Sequence, residues 1–146
     1  MLKNIQQQWL AIKLITRMDK PIGTYLLLWP TYWALWIASD GWPILHNLLV
    51  FSLGVFVMRS AGCVINDYAD RHIDGQVERT KNRPLVNGMM TPSQAINLFG
   101  VLIGMALGLV LTLSWPTIYL STVALGLAAL YPFMKRFTQL PQVFLG

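Results

Sequence analysis

Residues 48–65 read LLVFSLGVFVMRSAGCVI, and residues 66–74 continue NDYADRHID. The first stretch is apolar apart from Arg59 and two serines; the second carries three carboxylates. As a helix rising about 1.5 Å per residue, the apolar stretch spans roughly 27 Å, close to the hydrocarbon thickness of a bilayer. The pair reads as a membrane helix whose polar end emerges into water.

Working outward, three further apolar runs appear: Ile22 to Ala38, Ala95 to Leu113 and Ile118 to Met134. The first contains no charge and has Pro30 at its middle. Proline breaks a helix in water, but membrane neighbours can satisfy the carbonyl it frees. Across all 146 residues, 55% are hydrophobic and only 12% charged. A soluble domain needs about twice that charge to cover its surface. The expected fold class is therefore all-α, a polytopic membrane helix bundle. Residues 1–146 form one membrane domain with helices at about 22–38, 48–65, 95–113 and 118–134. The single cysteine, Cys63, rules out an intrachain disulfide. The first twenty residues are too polar for the core of a cleavable signal, so the first apolar run is expected to act as an uncleaved anchor.

The charges between these runs are one-sided. Lys3, Lys13, Arg17 and Lys20 precede the first run; Arg71, Arg79, Lys81 and Arg83 lie in the connection 66–94; Lys135 and Arg136 follow the fourth run. The connections Ser39 to Asn47 and Ser114 to Thr117 hold no Lys or Arg. The positive-inside rule then puts the N-terminus and the 66–94 motif loop in the cytoplasm. The net charge of +5 is too sparse for a continuous nucleic-acid face, which leaves lipid head groups or an anionic substrate as partners. Segment 1–20 mixes Ile5, Trp9, Leu10, Ile12 and Ile15 with Lys and Gln. It reads either as an interfacial amphipathic helix or as a loose tail. Most of Trp29, Trp33, Trp36, Trp42 and Trp115 fall near the outer helix ends, as an interfacial belt would. Gly100, Gly104 and Gly108 recur every four residues, a spacing expected to admit a close helix neighbour.

Chemistry concentrates between Arg59 and Arg83. Asn66, Asp70 and Asp74 are spaced by four, so on a helix they form one stripe, with Asp67 at its edge and Arg59 and Cys63 on the same arc. Like charges at that spacing repel and call for a compensating cation. Oxygen ligands of this type suit Mg²⁺, which bridges carboxylates to phosphates while keeping several waters. Arg79, Lys81 and Arg83 follow in a stretch rich in Asn, Pro and Gly, where flexible cations could bind the remaining phosphate oxygens. The plainer alternative is a mixed-charge loop that only pairs with itself, for example Arg71 with Asp67. Arg59, inside an apolar helix, is expected to find its partner in the acidic stripe. His46 and His72 read as interfacial, and Cys63 as a packing residue.

Asn66-Asp67-Tyr68-Ala69-Asp70-Arg71-His72-Ile73-Asp74 resembles the first aspartate-rich motif of the intramembrane aromatic prenyltransferases. Arg79-Thr80-Lys81-Asn82-Arg83-Pro84-Leu85 looks like the basic segment that follows it. Asp19-Lys20-Pro21-Ile22-Gly23, Leu26-Leu27-Leu28-Trp29-Pro30-Thr31 and Tyr131-Pro132-Phe133-Met134-Lys135-Arg136 resemble the branch that prenylates 4-hydroxybenzoate in bacterial ubiquinone synthesis. The resemblance implies about nine membrane helices around a cavity in the inner membrane, with two aspartate-rich motifs. It implies Mg²⁺ on Asn66, Asp70 and Asp74, with Asp67 as a further ligand, and Asn66, Asp70 and Asp74 as the catalytic set. Arg79 and Arg83 would bind the diphosphate of a polyprenyl diphosphate. Arg136, and Arg59 beside it, would hold diphosphate or the aromatic carboxylate. The implied reaction ionises the allylic diphosphate and joins the prenyl group to the ring ortho to the hydroxyl.

No acidic residue follows Glu78, so the second motif is missing, and the chain reads as a fragment expected to be inactive alone. Two other classes compete. A CDP-alcohol phosphotransferase needs two further downstream aspartates that are absent. A non-enzymatic transporter or assembly subunit would spread charges through the helices, whereas only Arg59 lies well inside one.

Overall fold

The computed structural model describes the backbone at residues 2–76, 78 and 80–137, and side-chain surroundings at 6–76, 78 and 80–127. The described residues form five helices and no strand: α1 (Leu2–Ile15), α2 (Ile22–Ala38), α3 (Leu45–Asp74), α4 (Pro92–Val110) and α5 (Trp115–Phe137). The all-α class is as expected. The chain divides into two compact units, Met1–Leu107 and Gly108–Gly146, the boundary falling near the end of α4.

In the first unit α3 is the central element. α1 and α2 both pack on it. Its buried positions are Val50, Val57, Ser60, Ala61, Val64, Asp67 and Asp74, a stripe at helical spacing. Around the middle of that stripe lies the core: Ala11 and Ile15 of α1, Val57, Ala61 and Val64 of α3, and Ala95, Leu102 and Ala106 of α4. Small residues at Ala11, Ala61, Ala95 and Ala106 let the helices approach closely, as in membrane bundles. On the other side, Tyr32 of α2 meets Ser52 of α3 at 3.0 Å, and the Ser52 hydroxyl also donates to Leu48 O. The long apolar side chains point outward: Leu26, Trp29, Trp33, Leu49, Leu53 and Val101 are all more than half exposed. A surface of this kind suits lipid or further helices, since soluble monomers rarely expose such contiguous apolar area.

Two helix ends explain the local path. α1 closes in a Schellman motif: Met18 N–H donates to Lys13 O at 3.0 Å and Arg17 N–H to Leu14 O at 3.2 Å. The left-handed residue is Arg17, with φ 59°, where glycine is usual. α4 opens on a reciprocal cap. Gln94 N–H donates to Thr91 Oγ1, Thr91 N–H donates to Gln94 Oε1, and Pro92 takes the first helical position.

Several boundaries differ from the sequence expectation. α3 starts at Leu45 and runs on to Asp74, so the stretch 66–74 is helix and the connection is only 75–91. The helix survives its acidic end because guanidiniums lie against the carboxylates. Segment 2–15 is helical, with Ala11 and Ile15 packed into the core and Trp9 exposed. At Gly100, Gly104 and Gly108 an added Cβ would meet nothing within 4 Å among the described residues, so the close neighbour expected there is not seen. Two helices, α3 and α4, are both long and apolar enough to cross a bilayer; α2 has 17 residues and no charge.

In the second unit, α5 begins at Trp115. The Ser114 and Thr117 hydroxyls lie 3.0 Å apart across its first turn, satisfying polar groups where the helix starts.

Candidate functional site: the acidic end of helix α3

At about 1.5 Å per residue, the thirty residues of α3 extend roughly 45 Å, well beyond a bilayer core of about 30 Å. From Leu45, Arg59 sits about 21 Å along, Asp67 about 33 Å and Asp74 about 43 Å. The carboxylates therefore belong to the part of α3 that outruns the hydrocarbon.

Asp67 is the most enclosed of them, 3% exposed. Arg17 Nη2 donates to both its oxygens, at 3.1 Å to Oδ1 and 3.2 Å to Oδ2. Arg83 Nη1 lies 2.9 Å from the same Oδ1 and 2.5 Å from Asp74 Oδ2. One guanidinium nitrogen thus joins two carboxylates two helical turns apart. Asp74 is also buried, and its carbonyl accepts from Thr80 Oγ1 at 2.7 Å, which closes the end of α3. Pro84 is fully buried in the connection and Met90 nearly so. The connection 75–91 is thereby held at both ends, by Arg83 and Thr80 on α3 and by the cap of α4.

The stripe drawn from spacing alone differs from the structure at two positions. Asp67, expected at the edge, is the centre of the ion network, because the core-facing stripe of α3 runs through 60, 64 and 67. Asn66, expected on the stripe, is exposed. Asp70 is half-buried between them. Arg71 does not pair with Asp67 in the contacts described: its guanidinium stacks 4.3 Å from the Tyr68 ring centroid and donates to Tyr68 O at 2.6 Å. His72 is exposed.

Arg59 also finds a different partner. It donates to Arg17 O at 3.4 Å and to Lys20 O at 3.1 Å, carbonyls of the turn between α1 and α2. Those carbonyls lie level with Arg59, whereas the carboxylates lie at least two turns further along α3. A Cβ on Gly23 would come within 2.7 Å of Arg59 Nη2 and 2.8 Å of its Nε. Gly23 is what lets the guanidinium lie against the start of α2.

Arg17 was not singled out from the sequence, where it served only as one of several N-terminal positive charges. The available signal was its position at the expected junction of two helices, just before Asp19-Lys20-Pro21. Arg79 lies outside the described residues, and Arg136 lies on the last turn of α5 with its side chain outside them.

The donor set has a bearing on metal. Asn66 and Asp70 carry oxygen donors one turn apart on α3, atoms of the type that suits a hard divalent cation whose shell is completed by water or phosphate oxygens. Asp67 does not fit as a ligand, since guanidiniums face both of its oxygens in a buried position. Asp74 Oδ2 carries Arg83. Among the described residues no group of three His, Cys, Asp or Glu converges on one point. A divalent cation shared with phosphates needs only one or two protein carboxylates.

Apolar helices of membrane length with an arginine-bridged acidic helix end mark a membrane protein with a polar site at a helix terminus. The chain belongs to the UbiA prenyltransferase family, whose profile matches residues 27–146. It is a membrane protein accordingly, and the family generally uses a divalent metal. The chain is 86% identical over its whole length to a 4-hydroxybenzoate octaprenyltransferase of Colwellia psychrerythraea, covering 51% of that protein. It is 63% identical over 91% of its length to one of Pseudoalteromonas atlantica, and 60% identical over 97% to one of Sodalis glossinidius, covering 47% and 49% of them. The chain therefore spans about half the length of the curated relatives it matches. No solved structure matches it.

Proposed function

We propose that the protein containing this chain transfers a polyprenyl group from a polyprenyl diphosphate to 4-hydroxybenzoate at the carbon ortho to the hydroxyl. The observation that carries the reading is the end of α3. There, among the described residues, the acidic stretch 66–74 is tied to the basic stretch after it by the Arg83 guanidinium, which meets both Asp67 and Asp74. The names of relatives as similar as 86% supply the acceptor and the prenyl donor class.

In this reading Asn66 and Asp70 hold Mg²⁺ together with the diphosphate. Bound there, the metal supplies positive charge to a leaving group as its negative charge grows. Arg83 and Arg79 bind further diphosphate oxygens, a role guanidiniums fill bidentately. The allylic carbon–oxygen bond breaks with its electron pair on the diphosphate. The ring carbon forms the new bond, and its proton then leaves. Apolar walls from α3 and α4 keep water from the cation, which would otherwise be hydrolysed. Arg136 and Arg59 are assigned to the aromatic carboxylate or the diphosphate; Arg59 has the weaker claim because it already serves two backbone carbonyls. Orientation follows the charge asymmetry: α1 and the 75–91 connection face the cytoplasm across a bacterial inner membrane.

The experiment extends this chain with the remainder of its Colwellia psychrerythraea relative. Membranes containing that protein are supplied with 4-hydroxybenzoate, a polyprenyl diphosphate and Mg²⁺. Prenylated product that disappears with EDTA is expected. Absence of product, or product that is indifferent to EDTA, would overturn the corresponding part of the reading.

A further inference from the structure

We infer that Asp67 acts through arginine rather than through metal: it is the positioning residue that turns Arg83 so that one edge of its guanidinium is left for the diphosphate. The inference rests on the function proposed above.

Three observations carry it. Asp67 is 3% exposed, and guanidinium nitrogens lie within 3.2 Å of both its oxygens. A carboxylate so placed has little left to offer a metal. Next, the contacts of Arg83 with Asp67 and Asp74 run through a single nitrogen, Nη1. A guanidinium has five N–H donors in a rigid plane, and only two are on Nη1. The Nη2–Nε edge is the fork that grips an oxyanion bidentately. Finally, the Arg83 side chain keeps 21% of its surface accessible while its two partners are nearly covered. The carboxylates grip one corner of the ion, at Nη1. Arg17 completes the arrangement by bracing Asp67 from the α1 side. Without that brace Arg83 would have to order its flexible side chain on each binding event, weakening the complex.

The test uses the protein completed to the length of its relatives, with Asp67→Asn, Arg83→Gln, Arg83→Lys, the Asp67→Asn/Arg83→Gln double variant and Asp70→Asn. KM for the polyprenyl diphosphate at saturating Mg²⁺ and the Mg²⁺ concentration for half-maximal rate are measured separately. Asp67→Asn is expected to raise KM about tenfold while moving the Mg²⁺ midpoint by less than about twofold, and the double variant should match Arg83→Gln alone. Arg83→Lys, which keeps the charge but has no fork, should raise KM about as much as Arg83→Gln. Trypsin cleavage after Lys81 should quicken in Asp67→Asn as the connection loosens, and inorganic pyrophosphate should slow it again. An increase of the Mg²⁺ midpoint in Asp67→Asn as large as that in Asp70→Asn would overturn the inference, as would additive effects in the double variant. If the unsubstituted protein makes no prenylated product, the prenyl-transfer reading fails. The trypsin result then still decides the positioning role.

Discussion

Arg17 and Asp67, 50 positions apart in the chain, meet side chain to side chain, with Arg17 Nη2 3.1 and 3.2 Å from the two carboxylate oxygens. Arg17 makes this contact from a left-handed backbone, φ 59°, that costs a non-glycine residue about 1–2 kcal/mol. The turn that ends α1 therefore exchanges local comfort for a long-range ion pair. This separates two effects that substitutions usually mix. Arg17→Ala should lose the pair and keep the strain, destabilising by about 2–3 kcal/mol for a largely enclosed charge left short of a partner. Arg17→Gly loses the same pair but relaxes the turn, and should recover about 1 kcal/mol. Thermal or denaturant unfolding in detergent checks the order; equal losses would mean that the backbone strain is immaterial.

Gly23 and Arg59 make a second two-site prediction. Gly23→Ala places a methyl within 2.8 Å of the guanidinium, which must move off the Arg17 and Lys20 carbonyls. A loss of about 1–3 kcal/mol is expected, in the range of overpacking. In an Arg59→Ala background the same change should cost almost nothing, because the atoms it meets are gone. Unfolding of the two single variants and the double variant measures the coupling directly.

Asp70 and Arg71 are adjacent but differently placed, and activity should separate them. Asp70→Asn in the completed protein is expected to lower turnover at least about 100-fold, the scale of metal-ligand losses. Arg71→Gln removes the stacking contact with the Tyr68 ring and the hydrogen bond to Tyr68 O, and should cost about 1 kcal/mol of stability. Initial rates at saturating Mg²⁺ test the pair, and equal losses would remove Asp70 from the proposed metal site.

Orientation is checked by labelling. In a background where Cys63 is replaced, single cysteines at Ser39 and at Ser114 should react with a membrane-impermeant thiol reagent applied from the periplasm. One at Gln76 should not. Ser39 follows α2, Ser114 precedes α5, and Gln76 follows α3. Labelling of Gln76→Cys from outside would reverse the assigned topology.

The helical class of this protein was legible because apolar runs of membrane length carry their own signal, and α2 occupies such a run, Ile22–Ala38. Polar stretches were harder. Residues 66–74 were assigned to the motif loop although their spacing made sense only on a helix; what the sequence did not show was that Arg17 and Arg83 sit against the carboxylates. Spacing placed Asp70 and Asp74 on one side of α3, but it cannot tell which side of a helix the rest of the chain covers. That is why Asp67 was put at the margin. Partners of long cations were misread for a related reason. Arg59 and Arg71 both settled on backbone carbonyls, acceptors that every residue offers and no sequence pattern advertises. The cap Thr91–Pro92–Gln94, by contrast, is a local pattern that could have fixed the start of α4 in advance.

The thirty-residue α3 has a consequence for the lipid around it. A rod longer than the bilayer by about 15 Å fixes the elevation of Asp67 and Asp74 above the acyl chains only while the membrane keeps its thickness. Sterol-rich or long-chain bilayers, thicker by a few Å, would submerge roughly two more residues of α3 and draw the arginine-bridged carboxylates toward oil, unless the helix straightens or the lipid thins locally. Acyl-chain length is then a variable that tunes the electrostatics of the bridged carboxylates without any change to the protein.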